Sequence, residues 1–238
     1  MKKKILMIVA NPAVSTTLGW PVGFWASELI HPYDALLKAD HEVTIASPKG
    51  GKVEFDGLSD PRDASGYSKE DTLALAYIQR PEFMQLLENT PSIANLNAAE
   101  FDAIIVCGGQ SPMFTFRRDQ ALAALFMEFY KADKVSSALC HGTCLLLETK
   151  LPGGQSLILG RTMTGFANSE EDYADKVVGK RVMPFRIEDE ARKLGANFVT
   201  KPAFQPHAVR DGNLITGQQQ YSGHEVAKLV IQALAEKN

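Results

Sequence analysis

Val135-Ser136-Ser137-Ala138-Leu139-Cys140-His141-Gly142-Thr143-Cys144-Leu145-Leu146-Leu147 is the stretch that decides the fold. Residues 135–139 form a short run without a charged side chain, the pattern of a strand covered on both faces. Cys140-His141-Gly142 interrupts the run, and an apolar helical pattern over 141–147 begins at once. A strand passing through one turn into a helix is half of a parallel β-α-β unit, so the stretch predicts a parallel sheet. A side chain at that turn stands at the carboxyl end of its strand, where open α/β sheets bind ligands.

Working outward, comparable β-branched runs occur at 4–10, 42–47 and 103–107, with shorter ones near 162–164, 197–199 and 214–216. Helical patterns cover 23–38, 119–132, 188–194 and 223–236, the last with apolar residues at Val226, Leu229, Val230 and Leu234. The alternation predicts an α/β, doubly wound, mostly parallel sheet between helices. Residues 48–98 depart from it: Gly50-Gly51, Gly57, Pro61 and Gly66 precede a polar helical stretch over 69–88, which reads as a small inserted cap. A second excursion, 169–182, is rich in Glu, Asp and Lys, and its plainest reading is a solvated helix. At 238 residues the chain is expected to be one domain, 1–238.

Composition narrows the function classes. A net charge of −3 gives no electrostatic footprint for nucleic acid. No apolar run approaches the roughly 18 residues of a membrane span, so no membrane partner is expected. Three cysteines argue for free thiols in a reducing, cytoplasmic compartment rather than a disulfide framework. The histidines are scattered without metal-ligand spacing, and the glycine pairs are neither a dinucleotide fingerprint nor a Walker loop. Neither a metal nor a nucleotide cofactor is predicted.

Cys140 is the leading candidate for chemistry. At the end of a strand and the start of a helix a thiol is presented to ligand, and the helix N-terminus favours its thiolate. A buried structural cysteine is the plainer reading. His141 follows directly and is the type of residue that activates a thiol. Cys107-Gly108-Gly109-Gln110 ends another strand in glycines whose amides can approach a ligand and form an oxyanion hole, or merely permit a tight turn. Cys107 itself reads as core. Glu28 lies in an otherwise apolar helical stretch, Trp25-Ala26-Ser27-Glu28-Leu29-Ile30-His31-Pro32. A carboxyl in that setting titrates high and serves as a general acid/base; an exposed helix glutamate is the alternative.

Taken together, the strand ending in Gly108-Gly109, the Ala138-Leu139-Cys140-His141-Gly142 elbow and Glu28 within Glu-Leu-Ile-His-Pro resemble the ThiJ/PfpI superfamily of class I glutamine amidotransferase-like proteins. The likeness is closest to its glutathione-independent glyoxalase III and chaperone branch. Ala46-Ser47-Pro48-Lys49-Gly50-Gly51, Thr164-Gly165-Phe166 and Leu214-Ile215-Thr216-Gly217 extend it over nearly the whole chain. The resemblance implies a flavodoxin-like sandwich and a homodimer. It also implies a catalytic set of Cys140 as nucleophile, His141 as its partner, Glu28, and a downstream carboxylate. Glu171, six residues beyond Gly165, matches the family's position, with Glu170 the adjacent alternative. Gly108, Gly109 and Gln110 would form the oxyanion and substrate-binding loop. The implied partner is a small carbonyl substrate: methylglyoxal or a similar 2-oxoaldehyde converted to a 2-hydroxy acid without glutathione or cofactor. Two other readings use the same residues. One is a cysteine hydrolase or hydratase of an amide, imide or isonitrile, with Gln110 and Gln218 recognising the amide. The other is a redox-responsive chaperone whose Cys140 becomes a sulfinate.

Overall fold

A computed structural model of the chain describes residues 1–237. Its central sheet comprises β1 (Lys4–Ile8), β2 (Glu42–Ala46), β3 (Ala103–Val106), β4 (Val135–Leu139), β5 (Ala208–Asp211) and β6 (Leu214–Gly217). In space the order is β2-β1-β3-β4-β6-β5, and all neighbours are parallel except the β6/β5 pair. The chain leaves β1 for β2 on one side and returns to β3 on the other. That reversal opens a crevice at the carboxyl ends of β1 and β3, as expected of a flavodoxin-like sheet.

The helices are α1 (Ala26–Lys38), α2 (Thr72–Ile78), α3 (Pro81–Glu88), α4 (Gln120–Lys131), α5 (Asn168–Val178), α6 (Ile187–Lys193) and α7 (Gly223–Glu236). Strand alternation divides the core between two faces. Leu6, Ile8, Ile104, Val106 and Ala138 join Leu122, Phe126 and Phe129 of α4 in one cluster. Ile5, Met7, Ile105, Val135 and Leu139 join Leu29 and Ile30 of α1 and Val226 and Val230 of α7 in the other. With apolar partners on both sides, the strands read as continuous hydrophobic runs. Helix starts follow local chemistry: the carboxylates of Asp71 and Asp119 accept from the amides of Ala74 and Leu122 at the heads of α2 and α4.

Four expectations are corrected. Residues 140–147 form a 3-10 helix rather than an α-helix. The short strands at 162–163 and 197–198 pair with each other, outside the main sheet. An antiparallel edge strand, β5, was not expected. The polar stretch 69–88 is two helices, split before Pro81, which occupies the first turn of α3 where its missing N–H is no loss. The stretch after β2 is tied to the body by bridges from Phe24 to Phe55 and Ser47 to Ser92, and closed on itself by one from Gly51 to Thr90.

Candidate active site

Cys140 is the first residue after β4 and takes φ +54°, a left-handed conformation that a side chain bearing Cβ rarely adopts. The Thr143 hydroxyl donates to the Cys140 carbonyl at 2.7 Å and braces the turn. A Cβ on Gly142 would stand 2.7 Å from the Cys107 carbonyl oxygen, so only glycine lets the elbow settle onto the end of β3. One that replaced a hydrogen of Gly108 would meet Glu28 Oε2 at 2.6 Å and Cys140 Cβ at 2.9 Å. Gly108 is therefore the gap through which α1, β3 and β4 bring Glu28 up to the thiol.

His141 Nδ1 lies 3.9 Å from Cys140 Sγ, and its Nε2 lies 3.1 Å from Glu171 Oε1. With Nε2–H donating to Glu171, Nδ1 keeps a lone pair towards the thiol. Phe166 stacks on the imidazole, ring centres 4.1 Å apart, and fixes its plane. Of the two adjacent glutamates, Glu171 is the one that reaches the histidine. Glu170 is a structural carboxylate: it accepts from the amides of Ala167 and Phe204 and from Gln218 Nε2. Both are buried, so this part of α5 is not the solvated face expected of it.

Glu28 is fully buried in the first turn of α1. Its Oε2 accepts from the Gly108 amide at 2.8 Å. Its Oε1 has no partner within ordinary hydrogen-bond geometry, although the Cys140 thiol is close enough to interact with the carboxyl. Burial pushes this carboxyl up to about 8, the thiol and the Gly108 amide opposing the rise and Asp56 adding to it. Burial also pushes the Cys140 thiol up, and the negative Glu28 carboxylate pushes it further; the His141 backbone N–H acts the other way. The expected low thiol pKa at a helix N-terminus is thus corrected: the helix is 3-10, and the carboxylate and burial outweigh its dipole.

The glycine loop is also corrected. The Gly108 N–H is spent on Glu28, so Gly109 is left as its free amide, with no acceptor among the described residues. Gln110 lines the cavity, but its Nε2 donates to Asp56 Oδ1 at 3.0 Å and its Oε1 faces Trp20 Nε1 at 3.3 Å. Gln218 is likewise occupied, by Glu170 and the Lys201 backbone. Asp56 was missed by sequence reasoning. It is buried beside Gln110, and burial raises it to about 6. No local pattern marks it; it lies within the 48–98 excursion.

Cys140, His141, Glu170, Glu171 and Gln110 open onto a cavity of about 290 Å³ whose remaining wall, apart from Ser65 and Gln220, is aromatic and aliphatic, including Trp20, Trp25, Tyr67, Tyr173 and Phe204. Cys107 and Cys144 do not reach it: both are buried and both thiols are pushed well up by burial. His31 pairs with Asp71 at 2.9 Å, away from the thiol. Among the described residues, no three His, Cys, Asp or Glu side chains gather where they could hold a metal ion, and no helix is long and apolar enough to cross a membrane.

A doubly wound sheet that bends one strand end into a cysteine elbow with positive φ defines a class, the flavodoxin-like α/β proteins with a cysteine at a strand-to-helix elbow. Within that class the DJ-1/PfpI family matches residues 20–233, and the chain belongs to that family. Relatives include a glutathione-independent glyoxalase of Schizosaccharomyces pombe, hsp3101, 28% identical with 90% of this chain and 88% of that protein covered. Another is the glutathione-independent glyoxalase HSP31 of Saccharomyces cerevisiae, 25% identical with 98% of each chain covered. Among solved structures, the Rapid Encystment Protein of Francisella tularensis superposes with a TM-score of 0.87 at 28% identity, over 98% of this chain and 99% of that one. Glyoxalase III of Candida albicans has the same fold, with a TM-score of 0.81 at 24% identity over 97% of each.

Proposed function

We propose that the chain is a glutathione-independent glyoxalase that converts methylglyoxal or a similar 2-oxoaldehyde to a 2-hydroxy acid through Cys140. The observation that carries this reading is the fully buried Glu28 carboxyl held behind the Cys140 thiol, which itself stands at the wall of a cavity; burial pushes that carboxyl up to about 8. The names of the relatives support it.

The residues supply each step. When the Glu28–Cys140 pair holds one proton, that proton resides on the thiol or on the carboxyl, and the second arrangement contains the thiolate. The thiolate adds to the aldehyde carbon and Glu28 passes its proton to the aldehyde oxygen, giving a hemithioacetal. The Gly109 amide, which has no acceptor among the described residues, is the donor assigned to the charge that develops on oxygen. The Glu28 carboxylate then removes the hydrogen on the thiol-bearing carbon, leaving an enediolate with its charge on the former ketone oxygen; it returns that proton to the neighbouring carbon, while the hydroxyl proton on the thiol-bearing carbon passes to the charged oxygen. The product is a 2-hydroxyacyl thioester on Cys140. His141, oriented by Glu171, takes a proton from water as the water attacks, and hands it to the departing sulfur. The sum is addition of one water, with no oxidant and no cofactor.

The amide-recognising alternative loses its support, because both glutamines that motivated it are engaged within the protein. The test is methylglyoxal consumption with lactate detection by purified protein lacking glutathione, beside Cys140→Ala. Lactate formed by the parent and not by the variant is the expected result; equal turnover in both would sink the reading.

A further inference from the structure

We propose that the cavity selects 2-oxoaldehydes carrying a bulky apolar substituent over three-carbon methylglyoxal, an inference that rests on the glyoxalase reading above. The reacting groups use only a fraction of the space. A cavity of about 290 Å³ comes up to the lower end of the roughly 300–1,000 Å³ that pockets for drug-sized ligands occupy. Three bonded carbons span only about 3 Å at about 1.5 Å per bond.

The surplus space has a direction. Glu170 and Glu171 occupy the first turn of α5, and Tyr173, Ala174, Val177 and Val178 continue along the cavity wall at helical spacing. From Glu170 to Val177 the helix advances about 10 Å at 1.5 Å per residue. Beyond the two glutamates no charged side chain lines this wall, and Glu170 is already saturated by backbone amides and Gln218. A phosphate or carboxylate tail would therefore find no cation, whereas an alkyl or aryl tail would meet valine, tyrosine and phenylalanine. Val177 is 67% exposed and Tyr173 51%, so a bound tail has apolar surface to remove from water.

A tail that contacts only this wall binds ground and transition states alike, so it acts on KM. The experiment is a series of unbranched substrates with the same reactive carbonyls: methylglyoxal, 2-oxopentanal and 2-oxoheptanal, without glutathione. The expected kcat/KM rises by at least about tenfold from the first to the last, mainly through KM, since a single methylene in an apolar pocket is worth about tenfold or more. Val177→Ser, a change on an exposed helix face, is expected to lower the long-to-short ratio. A flat or falling series in which methylglyoxal is still turned over overturns the proposal and leaves the glyoxalase reading standing. Absence of turnover for every member overturns both.

Discussion

Strands β3 and β4 lie side by side in parallel register and each runs out into a cysteine, Cys107 and Cys140, yet the two thiols have different fates. Cys107 continues the extended backbone, its amide bonded to the Ile8 carbonyl at 2.9 Å, and turns into the cluster shared with α1 and α7. Cys140 lies one register step further along and has left the extended region for φ +54°. That single step places it opposite Gly108, against Glu28 and at the cavity wall. Residue type is the same at both strand ends. Burial and then the Glu28 carboxylate push both thiols up, so backbone geometry, rather than the presence of sulfur or the nearby carboxyl, decides which thiol stands at the cavity.

The largest expected break in the comparison is Cys140→Ala, which should lower kcat/KM for a 2-oxoaldehyde by at least about 10^3-fold, as loss of a nucleophile does. Next comes Glu28→Gln, which keeps the shape and removes the titrating group; steady-state kinetics should register a loss of about 10^2- to 10^4-fold, the range of one general acid/base.

The pH profile sharpens the same contrast. The doubly protonated Glu28–Cys140 pair has no thiolate arrangement, and it loses its first proton near the Glu28 value of about 8. kcat/KM should therefore rise about tenfold per pH unit below 8 and level off above it. A profile flat between pH 6 and 9 would remove the pair from the mechanism.

Stability should move in the opposite sense to activity. Burial pushes the Glu28 carboxyl from its ordinary 4.5 up to about 8, so between these the folded state holds a proton that the unfolded state has lost. Stability must fall as pH rises through that window. Glu28→Gln should flatten the fall and raise Tm at pH 8 by about 5 °C, an increment of order 1–2 kcal/mol for a chain of this size. Asp56, raised to about 6, keeps a smaller slope of the same sign. The smallest effect belongs to Cys107→Ala: activity unchanged, and a stability loss of about 1 kcal/mol for a buried sulfur, read by urea denaturation.

Legibility followed the range of the interactions. Of the five parallel strands, β1 and β3 were readable because two-sided burial leaves an apolar run, β2, β4 and β6 as runs with hydroxyl residues among the apolar ones, and the elbow because a strand stops at Cys140-His141-Gly142. β5 escaped because Ala208-Val209-Arg210-Asp211 is half exposed and carries no such run, although Gly212-Asn213 between it and β6 is a two-residue hairpin signal. The 3-10 form of 140–147 was invisible for a different reason: it is set by packing on the end of β3, and nothing in Cys-His-Gly-Thr-Cys-Leu-Leu-Leu separates it from an α-helix. In the site, the pairing of Glu171 with His141 was reached through resemblance, and geometry separates it from Glu170. Asp56, Tyr67 and Phe204 come from segments distant in sequence and share a cavity wall or its support only after folding.

The cavity wall also has an optical consequence. The chain contains two tryptophans, Trp20 and Trp25; both line this cavity, and Trp25 also borders a second one beside His31 and Asp71. Intrinsic emission near 340 nm is therefore a label already in place, reporting local occupancy with no background from indoles elsewhere. Ligand titrations and stopped-flow traces can be recorded on the unmodified protein, and a blue shift on adding a non-reacting ketone would signal water leaving this wall.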